Sequence, residues 1–223
     1  VSTASYALEW HALKEYISDN QQANYDVADL RADAVMDLTD KIMRRREKSF
    51  SDLFTETSWS LFVSLTAGQA FTADTTVSNP IPVFDTAATV VIQNSGFKPN
   101  VGIIGRNVLP GIKYTSAEVT KTMLASLFDV DELLVSHAQL DTANEGATTS
   151  VGQMWGNHAW VGYRAPRATP LAPSAGYIFQ KNRSLVKRWR DEEREAEAIE
   201  VNSQHDIKIV ASLSGYLIKN AYA

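Results

Sequence analysis

The chain has 223 residues, 44% of them hydrophobic and 21% charged, which is ordinary globular composition and enough for one large domain or two small ones. It contains no cysteine, which excludes a disulfide scaffold, a zinc–thiolate site and a cysteine nucleophile. The net charge of −5 lacks the basic balance of a tight nucleic-acid binder, and no run of 18 apolar residues is present to span a membrane.

Val1 rather than Met begins the chain, as in a trimmed, processed or partial sequence, and no signal-peptide pattern follows it. Residues 1–25 carry Ala7, Trp10, Leu13 and Ile17 as a short amphipathic stretch, then the polar run Asp19-Asn20-Gln21-Gln22. They are too poor in apolar residues for a core of their own and read as an arm. The clearest helix is expected over 26–54, with Asp26 as N-cap. Val27, Leu30, Ala34, Leu38 and Ile42 recur at three- and four-residue spacing, and Phe50 and Leu53 continue that face. About 28 residues at 1.5 Å each would span roughly 42 Å, more than a compact core can cover. Acidic residues lead this helix and basic ones end it, as the helix dipole favours.

Residues 58–78 read as extended, with Trp59, Leu61 and Val63 alternating and Gly68 at a turn. A new unit starts at Asn79-Pro80. A helix is expected over 85–94 with Phe84, Ala88, Val91 and Ile92 inward, stopped by Gly96. Pro99-Asn100 makes a turn and Val101–Gly105 a buried strand. A helical turn over 106–113 is broken at Pro110-Gly111. Ser116 caps a helix carrying Val119, Met123, Leu124 and Leu127, which Asp129-Val130-Asp131 ends, and Leu133–Val135 is a second buried strand. This alternation is an α/β pattern.

The segment 141–150 is a polar loop. Trp155–Tyr163 and Tyr177–Phe179 read as strands separated by Pro166, Pro170 and Pro173, and 184–195 is strongly charged. Ile199–Val201 and Ile207–Val210 suggest a hairpin around Asn202–Asp206. Gly215–Ala221 is amphipathic and packs back on the fold. No internal repeat is present.

Few residues offer chemistry. The histidines are His11, His137, His158 and His205. Ser136-His137 and Ser203/His205/Asp206 hold the residue types of a hydrolase triad, but sequence neighbours rarely form that geometry and no G-x-S-x-G elbow is present. Turn and surface histidines are the preferred reading. Asp191, Glu192, Glu193, Glu195 and Glu197 crowd one segment, yet lack the spaced oxygens and turn glycine of a calcium loop. Their alternation with Lys187, Arg188, Arg190 and Arg194 favours a solvated or interface face. Gly102-Ile103-Ile104-Gly105 lacks the Lys-Ser/Thr of a P-loop and the third glycine of a dinucleotide fingerprint, so a tight turn is preferred. The basic run Lys41–Lys48 can touch nucleic acid or form the exposed side of a long helix. Trp155 and Trp160 can form a stacking platform, but buried strand anchors are commoner. No catalytic, cofactor-binding or metal-ligating residue is assigned.

Taken in order, four segments resemble the major capsid proteins of tailed phages with the Hong Kong 97-type fold. They are Asp85–Gly105 with its KPNVGIIG, and Ser116–Ser136 followed by the polar DTANEG. The other two are Met154–Pro166 with Pro173–Phe179, and Ile199–Ala221. The helix from Val27 resembles that family's spine helix. The resemblance implies an α+β fold with a long spine helix, a peripheral domain and an axial α/β domain. It divides the chain into an N-terminal arm (1–25), a peripheral part with the spine helix and an extended segment (26–83), a mainly axial part (84–195) and a return to the peripheral sheet (196–223).

That family is usually longer, with arm and extended loop short or missing here, and its lysine–asparagine cross-link maps to no residue of this chain. The implied function is a non-enzymatic structural subunit assembling into hexamers and pentamers of an icosahedral shell around DNA. The expected partners are copies of itself, a scaffolding protein, a portal and weak non-specific contact with packaged DNA, with no membrane and no cofactor. Its place would be the virion capsid, after synthesis in the bacterial host cytoplasm. An encapsulin-like nanocompartment shell is the alternative. A small α/β hydrolase or binding protein is the third reading.

Overall fold

A computed structural model describes residues 5–25, 29–66, 68–71, 79–113, 120–144, 146–169 and 173–222. The chain forms two compact units. Unit 1 comprises Val1–Phe50 and Ile178–Lys208, and unit 2 comprises Ser51–Tyr177 and Ile209–Ala223.

Unit 1 is a helix on a sheet. Strand β1 (Glu9–Ser18) runs straight into helix α1 (Asp19–Asn24). Ser18 and Gln21 form a capping box there, each side chain meeting the other's backbone N–H. Helix α2 (Leu30–Ser51) has 22 residues and spans roughly 33 Å. Its start is held by Asp29, whose carboxylate accepts the Arg31 N–H at 3.0 Å. Two long strands, β8 (Gly176–Asp191) and β9 (Ala196–Ile209), complete the unit, and the sheet order is β1-β9-β8. β1 lies antiparallel to β9, with Leu13 opposite Val201 and Ile17 opposite Glu197. Side chains alternate across a strand. Ile17, Ile199 and Val201 therefore share one face, and they pack with Ala34, Leu38 and Ile42 of α2.

Unit 2 is built on a five-stranded mixed sheet. Its strands are β2 (Phe62–Ser64), β3 (Val101–Gly105), β4 (Glu132–Ser136), β7 (Ala159–Gly162) and β10 (Gly215–Lys219), in the order β2-β10-β7-β3-β4. β3 is parallel to β4 and β10 is parallel to β2, while β7 is antiparallel to both β3 and β10. A small hairpin, β5 (Gln139–Asp141) and β6 (Val151–Gln153), carries the polar loop. Helices α3 (Pro80–Ser95), α4 (Val108–Lys113) and α5 (Lys121–Leu127) supply Phe84, Val108, Ile112 and Leu124 to a core with Ile104, Val161 and Ile218 of the sheet. β3 is buried at every residue, as its unbroken apolar run predicts.

Helix ends follow sequence chemistry closely. Asn79 caps α3 with Pro80 at its first turn, and Gly96 ends it at φ 75°, donating to Ile92 O at 2.9 Å. Pro110 does not break α4. It lies in the first turn, where no backbone N–H is needed. Gly111 is required for close approach, since a Cβ there would lie 2.5 Å from the Phe71 carbonyl oxygen.

Several expectations are corrected. Residues 9–18 form a strand, not a helix-spaced stretch, because β9 offers them a hydrogen-bonded edge. The polar run after them is helical. Asp26 and Val27, Ser116 and Val119 lie outside the described residues; the described caps are Asp29 for α2 and Thr120 for α5. Ile92, Met123 and Leu127 are exposed, and Ala87 and Ala125 take the inward places. The hairpin expected around Asn202–Asp206 is one continuous strand, and the true turn lies at 192–195.

Candidate assembly surfaces

No triad forms. Ser203 Oγ lies 3.3 Å from His205 Nδ1, and both are buried. Asp206 follows His205 on a strand and so points to the opposite face. There it accepts the Ala7 N–H at 3.0 Å and meets Lys208 at 3.6 Å. The His205 Nε2 is buried without a partner, its ring 4.8 Å from that of His11. Burial, reinforced by His11 and Arg46, lowers the His205 pKa against the opposing pull of Glu9 and Asp206. Ser136 ends β4 and accepts the Ala138 N–H, with His137 exposed beside it. His158 is held low by burial and by Lys219, and its Nδ1 accepts the Asn220 N–H at 3.4 Å.

The two glycines of Gly102–Gly105 serve packing. A Cβ on Gly105 would lie 2.4 Å from the Gly156 carbonyl oxygen, and one on Gly102 would lie 2.9 Å from Leu133. The tryptophans are anchors. Trp59, Trp155 and Trp160 are buried around Phe54, with ring centroids 4.7 to 6.1 Å apart. A Cβ on Gly215 would lie 2.5 Å from the Trp59 ring and 2.7 Å from that of Trp160, so the box closes only around glycine.

The charged hairpin is engaged in ion pairs. Glu197 accepts two bonds from Arg188, at 2.7 and 3.0 Å, and also pairs with Arg31 of α2. Arg188 first, with Arg31 adding to it, holds the Glu197 carboxyl below its ordinary value. Arg190 clamps both oxygens of Asp19 at 2.6 Å, which lowers that carboxyl and raises the guanidinium. Asp191 faces Arg194 at 3.8 Å and Glu192 faces Arg190 at 3.6 Å. Among the described residues, no three His, Asp or Glu side chains gather as a metal would need. In the run Lys41–Lys48, Lys41 pairs with Asp37 and Arg44 with Asp40, each one helical turn back.

One surface escaped the sequence reading. On the sheet face of unit 1 turned away from α2, cations cap aromatic rings. Lys14 lies over Trp189 (4.8 Å) and Tyr16 (5.4 Å), Lys187 over Trp10 (5.4 Å), and Arg194 over Tyr16 (4.3 Å). The signal was the period of two in Trp10, Lys14 and Tyr16, which the helix-like spacing of Ala7, Trp10, Leu13 and Ile17 masked.

No family model and no curated protein matches this chain. Solved structures do. A phage-related protein from Bordetella bronchiseptica matches with a TM-score of 0.81 at 24% identity, over 97% of this chain and 76% of that one. The virus-like particle of Pyrococcus furiosus matches at 0.65 and 11% identity, over 98% and 80%. The capsid of the cyanophage P-SCSP1u matches at 0.60 and 11% identity, over 100% and 81%. The chain therefore carries the fold of phage capsid subunits, the Hong Kong 97-type that its sequence resembles.

Proposed function

We propose that this chain is the major capsid subunit of a tailed phage or prophage, a structural and non-enzymatic protein. The observation that carries the reading is the match to a phage capsid structure, that of the cyanophage P-SCSP1u, with a TM-score of 0.60 over 100% of the chain, and the likeness to a phage-related protein at 0.81 over 97% supports it. Unit 1, with α2 as the spine helix, is the peripheral domain, and unit 2 is the axial domain. Its work is assembly. Surfaces that differ on the two sides of a subunit meet head to tail, and such contacts close into rings when each step rotates. Hexamers and pentamers formed this way tile an icosahedral shell in the virion, after synthesis in the host cytoplasm. A scaffolding protein and a portal are expected partners, and contact with packaged DNA is weak, as the net charge of −5 suggests.

The match to a virus-like particle favours a second reading, a nanocompartment shell around a protein cargo. Electron microscopy of the expressed protein tests both readings. Shells, rings or capsomers support them. A strict monomer at high concentration, even with a scaffolding protein, overturns them. Nucleic acid or protein inside the particle then separates the two.

A further inference from the structure

Unit 1 has two outward faces of opposite character. Its sheet face presents Trp10, Tyr16 and Trp189 with Lys14, Lys187 and Arg194 laid across the rings. Trp10 is 55% exposed. Glu200, opposite Lys14 in the register, meets Lys187 only at 3.9 Å. The ring faces are already taken by the protein's own cations, which disfavours base stacking. What remains outward is a row of ammonium and guanidinium groups on an apolar bed, Arg194 sharing its charge with Asp191 at 3.8 Å.

The other layer presents the reverse. Asp33, Met36, Asp40 and Met43 follow a three- and four-residue spacing, which is one face of α2, away from buried Ala34, Leu38 and Ile42. Met36 is 70% exposed and Met43 is 43% exposed. Asp33 and Asp40 are exposed carboxylates, Asp40 sharing its charge with Arg44. Carboxylates suit the cation row, and methionine sulfur packs well against aromatic rings.

We propose that the cation-capped sheet face of one copy receives the acid–methionine face of α2 from a second copy. The inference rests on the shell reading and adds which surfaces meet. The two faces differ, so the contact is heterologous, the kind from which rings are built.

The test uses two charge-reversed forms of the full chain. In one, Lys14→Glu, Lys187→Glu and Arg194→Glu make the sheet face acidic. In the other, Asp33→Lys and Asp40→Lys make the helix face basic. Circular dichroism first confirms that both fold; if either does not, Met36→Ser with Met43→Ser replaces the helix variant and Trp10→Ser the sheet variant, each expected to weaken association. By mass photometry, each reversed variant alone should self-associate at least tenfold more weakly than the parent. An equimolar mixture should recover assembly, because each acidic face then meets a basic one. Parent-like assembly of both single-face variants overturns the contact and leaves the shell reading standing. So does a mixture that stays dissociated while both variants are folded, or loss of binding to a single-stranded oligonucleotide with assembly unchanged. A parent that never assembles removes the shell reading and this contact with it.

Discussion

Unit 2 turns most of its aromatic rings inward, with Phe62 and Phe97 the exposed ones among the described residues, whereas unit 1 leaves Tyr6, Trp10, Tyr25 and Trp189 outside. In unit 2, Phe84 stacks on Phe128 at 3.9 Å, and both faces of the five-stranded sheet are covered, one by helices and one by the tryptophan box. Ile103, Trp160 and Leu217 line up on the box side, while Ile104, Ala159 and Ile218 line up on the helix side. In unit 1, a single helix covers one face of the sheet with a thin apolar layer, and the opposite face is finished with cations over rings. A sheet buried on both sides needs nothing more to hold it. One covered on a single side, with exposed Trp10, Trp189 and Leu185, suits a protein whose burial is completed by a neighbour.

The contrast can be broken most severely at Phe84, which is 0% exposed. Phe84→Ala should cost about 3–5 kcal/mol in chemical denaturation, because it removes a stacked ring from a core that cannot collapse around the gap. Leu38→Ala should cost less, about 2–3 kcal/mol, because the thin layer between α2 and the sheet can settle into the space. An equal or larger loss at Leu38 would show that unit 1 is as tightly packed as unit 2. Gly215→Ala tests the tryptophan box. The added Cβ must displace rings now 2.5 and 2.7 Å away, a loss of about 1–3 kcal/mol that should also shift tryptophan emission.

A subtler difference is the response to acid. In unit 1, burial holds the folded pKa of His205 below the unfolded value of about 6.5. Its contribution is therefore present above that value and is lost as pH falls through the folded pKa. Stability should decline on acidification. His205→Gln should flatten part of that slope in pH-dependent melting, leaving the part due to His158 in unit 2. A slope unchanged by the substitution would remove His205 from the acid response. The smallest effect is expected at the Arg190–Asp19 clamp, which is exposed to solvent and screened by salt. Arg190→Gln should leave the denaturation midpoint unchanged within error.

Much of unit 2 was legible in the residues. Gly96 and the run Val101–Gly105 announce a helix end and a buried strand through local chemistry, and both stand where they are expected; the helix before Gly96 starts at Pro80, five residues ahead of the expected Asp85, because Asn79 caps it. The α2 stripe of Ala34, Leu38 and Ile42 was equally plain. The cation–aromatic face was not. Lys14 with Trp189 and Lys187 with Trp10 join β1 to β8 across more than 170 positions, and only register brings them together.

By itself, the sequence determined the apolar faces of the longer helices, the absence of thiol chemistry, and a resemblance strong enough to predict the capsid fold. Helices close hydrogen bonds within four residues, so their signals stay local. Tertiary structure alone decided that residues 9–18 are a strand, that 196–209 run unbroken, and that the last strand enters the sheet of unit 2. A strand's stability lies in its neighbours across the sheet, and those neighbours lie far away in the chain.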